Sequence, residues 1–255
     1  MSAIMISTRN ESTLILTLAE REPAQLSASV MENALQCLRN AERDESIRAV
    51  ILCGNGGDFC RGRALPQQSA ECAGQSGHDM ELLAQWVRAL REYPKPVVAA
   101  VEGVALDGGF ALALACDFII AAQSAQFAVT QLKLGLTPDG GLTWLLMRQM
   151  PRQLATELLM ESKPMLAARM HQLGVVKQIV EDGKAQSTAL RFCQKLAELP
   201  PFAVERLKEL VNEAHDNTLE QQFAAEQHAH LSCLHHHEAE EGLAARIEKR
   251  KPRFR

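Results

Sequence analysis

Residues 95–117 read KPVVAAVEGVALDGGFALALACD. The first half, residues 97–102, lies between Pro96 and Gly103 and is apolar up to Glu102, as expected of a strand buried on both faces of a sheet. The second half opens on Gly108 and Gly109 and continues apolar, which predicts a buried helix whose first turn carries no bulky side chain. Four backbone N–H groups at a helix start have no partner inside the helix, and the dipole there carries roughly half a positive charge. A strand that runs into such a start makes a corner that stabilises negative charge developing beside it.

The same alternation extends outward in both directions. Residues 4–6 and 13–18 read as a strand pair around a polar turn at 9–12. A helix is expected from Leu26, with Ser29 and Glu32 as a capping box and Val30, Ala34, Leu38 and Ala41 at helical spacing, ending near Asp44. Residues 49–52 form another short apolar strand, closed by Asn55, Gly56 and Gly57. Residues 67–77, rich in Ser, Gly, Gln and Ala, read as a flexible loop and a candidate lid before a helix over 78–91. Strands follow at 118–122 and 126–129, then a glycine-rich loop at 135–141 and a helix from Leu142. From Leu154 helices dominate, interrupted by a strand over 175–180. Helical stretches are expected over 185–199, 203–215 and 219–249, broken at Pro200–Pro201 and Asp216–Asn217. Repeated strand-strand-helix units with a helical tail imply an α/β fold.

With 255 residues, 47% of them apolar, the chain can bury one sizeable core. A formal charge of −4 without a segregated basic face argues against nucleic acid as a partner. Seven cysteines, an odd number with no CxxC pair, point to reduced thiols and a cytoplasmic setting. No apolar run reaches membrane-spanning length, and the first residues lack the pattern of a signal peptide. His235, His236 and His237 with Glu238, Glu240 and Glu241 lack metal-ligand spacing and are expected to be a solvated helical face, so no metal is expected.

Three ordered blocks carry a family resemblance. The 95–117 stretch resembles the PV-AA-V-G-A-GGG-LAL-CD turn of the crotonase (enoyl-CoA hydratase/isomerase) superfamily. Asp58-Phe59-Cys60-Arg61-Gly62-Arg63 is similar to its F-CAG loop, and Lys133 through Gly141 to its LGL-P--GG loop. The ending from Glu248 to Pro252 resembles its tail. Order and spacing agree from about residue 4 to 254. The resemblance implies a spiral of ββα units over residues 1–199 and a C-terminal helical trimerisation segment over 200–255, assembled as a homotrimer or a dimer of trimers. It also implies an acyl-CoA thioester as substrate, with coenzyme A as part of that substrate and no separate cofactor.

On that reading, proton removal beside the thioester carbonyl, or addition to a conjugated double bond, places charge on the thioester oxygen. Two backbone donors would hold it, the N–H of Arg63 and that of Gly108, each worth about 3 to 4 kcal/mol. The Arg at position 63 replaces a common Ala, which a backbone donor tolerates. The family's hydratases carry one Glu three residues after the middle glycine and another four residues ahead of the LGL glycine. Here those positions are Ala111 and Gln131, neither of which ionises to hold and activate a water. Asp139, where several isomerase branches of the family carry Asp or Glu, becomes the candidate acid and base, with Leu136, Trp144 and the acyl tail expected to flank it. Read without the resemblance, Asp139 is an ordinary turn residue capping the next helix, and the glycines serve a tight turn and close packing.

Substrate contacts are expected at Gln25 and Leu26, which stand where the family has its NAL turn, and at Arg61, Gly62, Leu65, Gly109, Gln131, Leu136 and Trp144. Lys249 is assigned to the CoA phosphates of a neighbouring subunit. Asp107 is expected to cap the Gly108 helix and to crowd the acyl channel, and Asp117 to be structural. The leading function is a shift of an enoyl-CoA double bond. The alternatives are a thioester hydrolase with Asp139 as nucleophile, an enoyl-CoA hydratase, and a non-catalytic acyl-CoA-binding homologue.

Overall fold

The computed structural model describes residues 5–18, 25–63 and 73–254. The hairpin β1 (Ile6–Asn10) and β2 (Thr13–Leu18) turns at Glu11, whose φ is 51°. After Leu26 comes α1 (Ala28–Glu42), followed by β3 (Ala49–Gly54), α2 (Ala73–Arg91), β4 (Val97–Val101), β5 (Val104–Leu106) and α3 (Gly108–Ala115). Then come β6 (Phe118–Ala122), β7 (Gln126–Ala128), a single 3-10 turn (Gln131–Leu134), α4 (Leu142–Gln149) and α5 (Arg152–Glu161). β8 (Met165–Leu166), α6 (Ala167–Gln172), β9 (Gln178–Val180) and α7 (Ala185–Leu196) close the core. Three helices follow: α8 (Pro201–Glu213), α9 (Leu219–Leu234) and α10 (His237–Ile247).

The main sheet runs β1-β2-β3-β4-β6-β9, with every neighbouring pair parallel except the β1–β2 hairpin. β3 and β4 are apolar throughout because both faces are covered. Val50, Leu52, Ala99 and Val101 turn to the large core with Phe59, Trp86, Phe110 and Phe127. Ile51, Val98 and Ile120 turn to the other side, against Ala185, Ala189 and Cys193 of α7. A second, shorter layer runs β5-β7-β8 and is prolonged by two isolated parallel bridges, Cys60 to Ala105 and Leu26 to Arg63. Each turn of the chain thus makes one rung in the long sheet, one in the short layer, and a helix, which is the ββα spiral.

β5 is a rung that three residues directly after Gly103 did not announce. The first helix is capped by Ser27, whose hydroxyl accepts from Val30 N at 3.4 Å, in place of the expected Ser29 box. Residues 73–77, expected in the loop, already belong to α2, while most of the candidate lid lies outside the described residues. The stretch 219–249 is two helices, broken at His235 and His236. α8 is fastened to the core by Lys208, which donates to Asp117 Oδ2 at 2.5 Å and to the Lys95 carbonyl at 3.0 Å. Asp117 is structural, its other bond coming from Val97 N at 2.7 Å.

Candidate active site

Two glycine corners meet where the short layer turns into α3. Gly62 has φ of 83°, and a Cβ added to it would lie 3.4 Å from the backbone N of Gly108 and 3.2 Å from the carbonyl O of Leu106. Leu26 N donates to Gly62 O at 2.9 Å. In a parallel bridge the peptide groups flanking a residue bond to the neighbouring strand while its own N–H points the other way. The Arg63 amide therefore points away from Leu26. Gly108 is the first residue of α3, so its amide has no carbonyl within the helix. Neither the Arg63 nor the Gly108 amide has an acceptor among the described residues. Gly109 serves packing: a Cβ there would lie 2.5 Å from Cys60 Cβ and 2.6 Å from Cys60 O. Burial pushes the Cys60 thiol up to about 12, partly opposed by the Gly62 amide, which leaves the thiol inert.

The LGL-P--GG loop delivers Asp139 to the same place. Its Oδ2 accepts from Arg63 Nε at 2.7 Å and its Oδ1 from Gln131 Nε2 at 2.9 Å. The side chains of Arg63 and Asp139 are 7% and 4% exposed, so this is a buried ion pair. Position 111 adjoins it, since a Cβ on Gly140 would sit 3.0 Å from Ala111 Cβ and from Leu83 Cδ2. Arg63, Ala111, Gln131 and Asp139 are thus gathered from four segments. Two polar atoms of the group are buried without a partner among the described residues, Arg63 Nη1 and Gln131 Oε1.

Several expectations are corrected here. Leu136 does not form the expected buried wall, being exposed. Trp144 packs against the guanidinium groups of Arg91 and Arg148, 4.4 and 3.6 Å from its ring centre, in a cleft that it lines with Tyr93, Lys208 and Asp216. Asp139 does not cap α4, whose N-cap is Gly141. Asp107 stands at the N-cap of α3 as expected, but its side chain makes no capping bond: the carboxylate accepts from Thr130 N and Thr130 Oγ1, both at 2.6 Å. It holds φ of 48°, a conformation that suits the glycine its family position commonly carries. The histidine cluster is a solvated face only in part: His235, His237 and Glu240 are exposed, but Glu238 is not. Glu238 is buried and its carboxylate accepts from Phe202 N and Ala203 N at the start of α8, while His236 stacks on Phe202 at 4.2 Å. The ligand atoms of His236, His237 and Glu238 come within 4.8 Å of one another, but the carboxylate is already occupied as a helix cap.

Of the other expected contacts, Leu26 is buried beside Gly108, and Gln25 is half-buried next to it. Arg61 pairs with Asp58 at 2.6 Å, and Leu65 and Ala64 lie outside the described residues. Lys249 is at the far end of the chain, in a tail held by Arg250 and Arg253 on Glu241 and by Phe254 O on Arg48, just before β3. This chain does not bring it to Arg63 and Asp139. Leu83 and Thr130 were not legible as site residues, and neither was the side-chain role of Arg63, because nothing local marks them.

A ββα spiral with two backbone amides left without acceptors at glycine corners defines the crotonase fold. The chain belongs to the enoyl-CoA hydratase/isomerase family, whose model matches residues 8–255. It is 35% identical to the 1,2-epoxyphenylacetyl-CoA isomerase of Escherichia coli K12 over 94% of either chain. It is 32% identical to the enoyl-CoA hydratase EchA19 of Mycobacterium tuberculosis, over 96% of this chain and 94% of that one. A solved enoyl-CoA hydratase from Polaromonas sp. JS666 superposes with a TM-score of 0.95 at 42% identity, covering 99% of this chain and 100% of that one.

Proposed function

We propose that this enzyme moves a double bond in an enoyl-CoA thioester from the 3- to the 2-position. The Asp139 carboxylate takes a proton from carbon 2, the charge passes to the thioester oxygen held by the N–H groups of Arg63 and Gly108, and the proton returns at carbon 4. One acid-base group is enough for this, whereas adding water across the double bond in the hydratase manner requires two. The observation that carries the reading is the gathering of Asp139 with Ala111 and Gln131: the two positions that bear glutamates in hydratases hold a methyl group and an amide whose Nε2 donates to Asp139. The similarity to an enzyme named as an isomerase agrees with it.

Arg63 and Gln131 each donate one hydrogen bond to the carboxylate, one to each oxygen, which leaves lone pairs for a substrate proton. The exposed apolar side chains of Leu207, Val211, Phe223 and Ile247 on α8, α9 and α10 fit the assembly role expected of residues 200–255 and a homotrimer or dimer of trimers. Among the described residues no helix is long and apolar enough to cross a membrane. A cytoplasmic setting is part of the same proposal.

The test is Asp139→Asn. With 3-enoyl-CoA, turnover should fall on the order of a hundredfold or more while CoA binding persists. Unchanged turnover would take Asp139 out of the mechanism, and rapid hydration of a 2-enoyl-CoA by the unaltered protein would overturn the isomerase reading.

A further inference from the structure

We propose that Arg63 and Gln131 form a hydrogen-bonding subsite, on either side of Asp139, that selects acyl groups carrying a neutral hydroxyl beyond carbon 3 over plain hydrocarbon chains. The proposal rests on the acyl-CoA reading and names the class of acyl group it would take.

Arg63 Nη1 and Gln131 Oε1 are buried polar atoms with no partner among the described residues. The Arg63 side chain is 7% exposed and Gln131 as a whole residue 5%, so both are nine-tenths or more buried. Both belong to residues bonded to Asp139, on its opposite oxygens. The orientation of the Gln131 amide follows from that bond: turned over, its oxygen would face a carboxylate oxygen, so Nε2 faces Asp139 and Oε1 is left as an acceptor. The subsite therefore offers one donor and one acceptor.

Charge and chemistry narrow the occupant. The Arg63 charge is matched by Asp139, so a carboxylate on the acyl group would bring a second anion beside Asp139 with no free cation among these three side chains. A carbonyl or ether oxygen accepts from Arg63 but gives Gln131 nothing. A hydroxyl both donates and accepts, and so answers either atom. An alkyl chain answers neither, and covering the subsite with hydrocarbon leaves a buried donor and acceptor unpaired, which is how sites built to bond a hydroxyl reject analogues that lack it.

The experiment is equilibrium binding by calorimetry, which needs no turnover. The probes are 4-hydroxybutyryl-CoA and 5-hydroxypentanoyl-CoA, their alkyl isosteres pentanoyl-CoA and hexanoyl-CoA, and succinyl-CoA. At least one hydroxylated ester should bind about tenfold or more tightly than its isostere, and succinyl-CoA should bind less tightly than either hydroxylated ester. In Gln131→Leu and Arg63→Lys the preference should shrink to about twofold or less, because one half of the pair is gone. Hydroxylated and alkyl esters binding equally, or a preference that survives both substitutions, would overturn the subsite and leave the acyl-CoA reading standing. If none of the five esters binds, the acyl-CoA reading fails and the subsite falls with it.

Discussion

The packing at Gly109 gives a sharp test of the corner that holds the Gly108 amide. Replacing Gly109 by Ala adds a Cβ that would stand 2.5 Å from Cys60 Cβ, 2.6 Å from Cys60 O and 2.7 Å from Cys60 Sγ. Two of those atoms are tied to the backbone, and Cys60 is bridged to β5, so the strand segment and α3 must separate. Overpacking of this kind costs about 3 kcal/mol. The gain in helix propensity from Gly to Ala returns at most about 1 kcal/mol. The net loss of about 2 kcal/mol lowers the melting temperature by about 4 to 8 °C for a chain of this size. Gly108→Ala is the matched control. Its Cβ would meet Leu83 Cδ2 at 2.9 Å, the end of a flexible side chain, and Leu26 Cδ1 at an ordinary 3.7 Å. Leu83 can turn aside, so this variant should melt within about 2 °C of the unaltered protein. Thermal unfolding followed by circular dichroism reads both. If Gly109→Ala melts with the unaltered protein, or if Gly108→Ala is the more damaging change, the packing account of this corner is wrong.

Other changes probe the surrounding supports. Asp107 combines a left-handed φ with two bonds to Thr130, so Asp107→Ala, which keeps the strain and loses the bonds, should cost about 2 to 3 kcal/mol. Asp107→Gly relieves the strain and should cost about 1 kcal/mol less than Ala in urea unfolding; the reverse order would refute this account of position 107. Lys208→Met removes the cation that fastens α8 to Asp117; since the Asp117 side chain is still 23% exposed, the loss should be about 1 to 2 kcal/mol, below that of a fully buried pair. No loss in urea unfolding would mean that the contact does not hold α8. In the tail, Arg250, with help from the Arg253 amide, lowers the Glu241 carboxyl from 4.5 to about 2. A depressed carboxyl stabilises fully above its unfolded value and loses that contribution as pH falls toward its folded value. Hydrogen-exchange protection of the Arg253 amide should therefore decline between pH 4.5 and about 2, and constant protection across that window would contradict it.

The spiral was legible because its signals are local. Apolar runs at 97–101 and 118–122 are strands buried on both faces, and the glycine at 62 permits a turn that other residues resist. The two amides were nominated through the family resemblance, which works on backbone donors because they depend on the path of the chain, and glycine-rich motifs report that path. What lay outside the sequence is every interaction between side chains that the spiral brings together. Arg63 and Asp139 are 76 positions apart, and nothing in either segment says that the arginine will turn inward onto the carboxylate. Asp107 looked like a helix cap because Asp commonly caps helices, yet its carboxylate is captured by Thr130, 23 positions on. Trp144, an apolar ring expected beside Asp139, is held by two cationic side chains. Local pattern determines where the chain turns and which amides it leaves free. Which charges meet is settled only once the layers have stacked, since burial makes an unpaired charge so costly that it takes whatever partner the packing supplies.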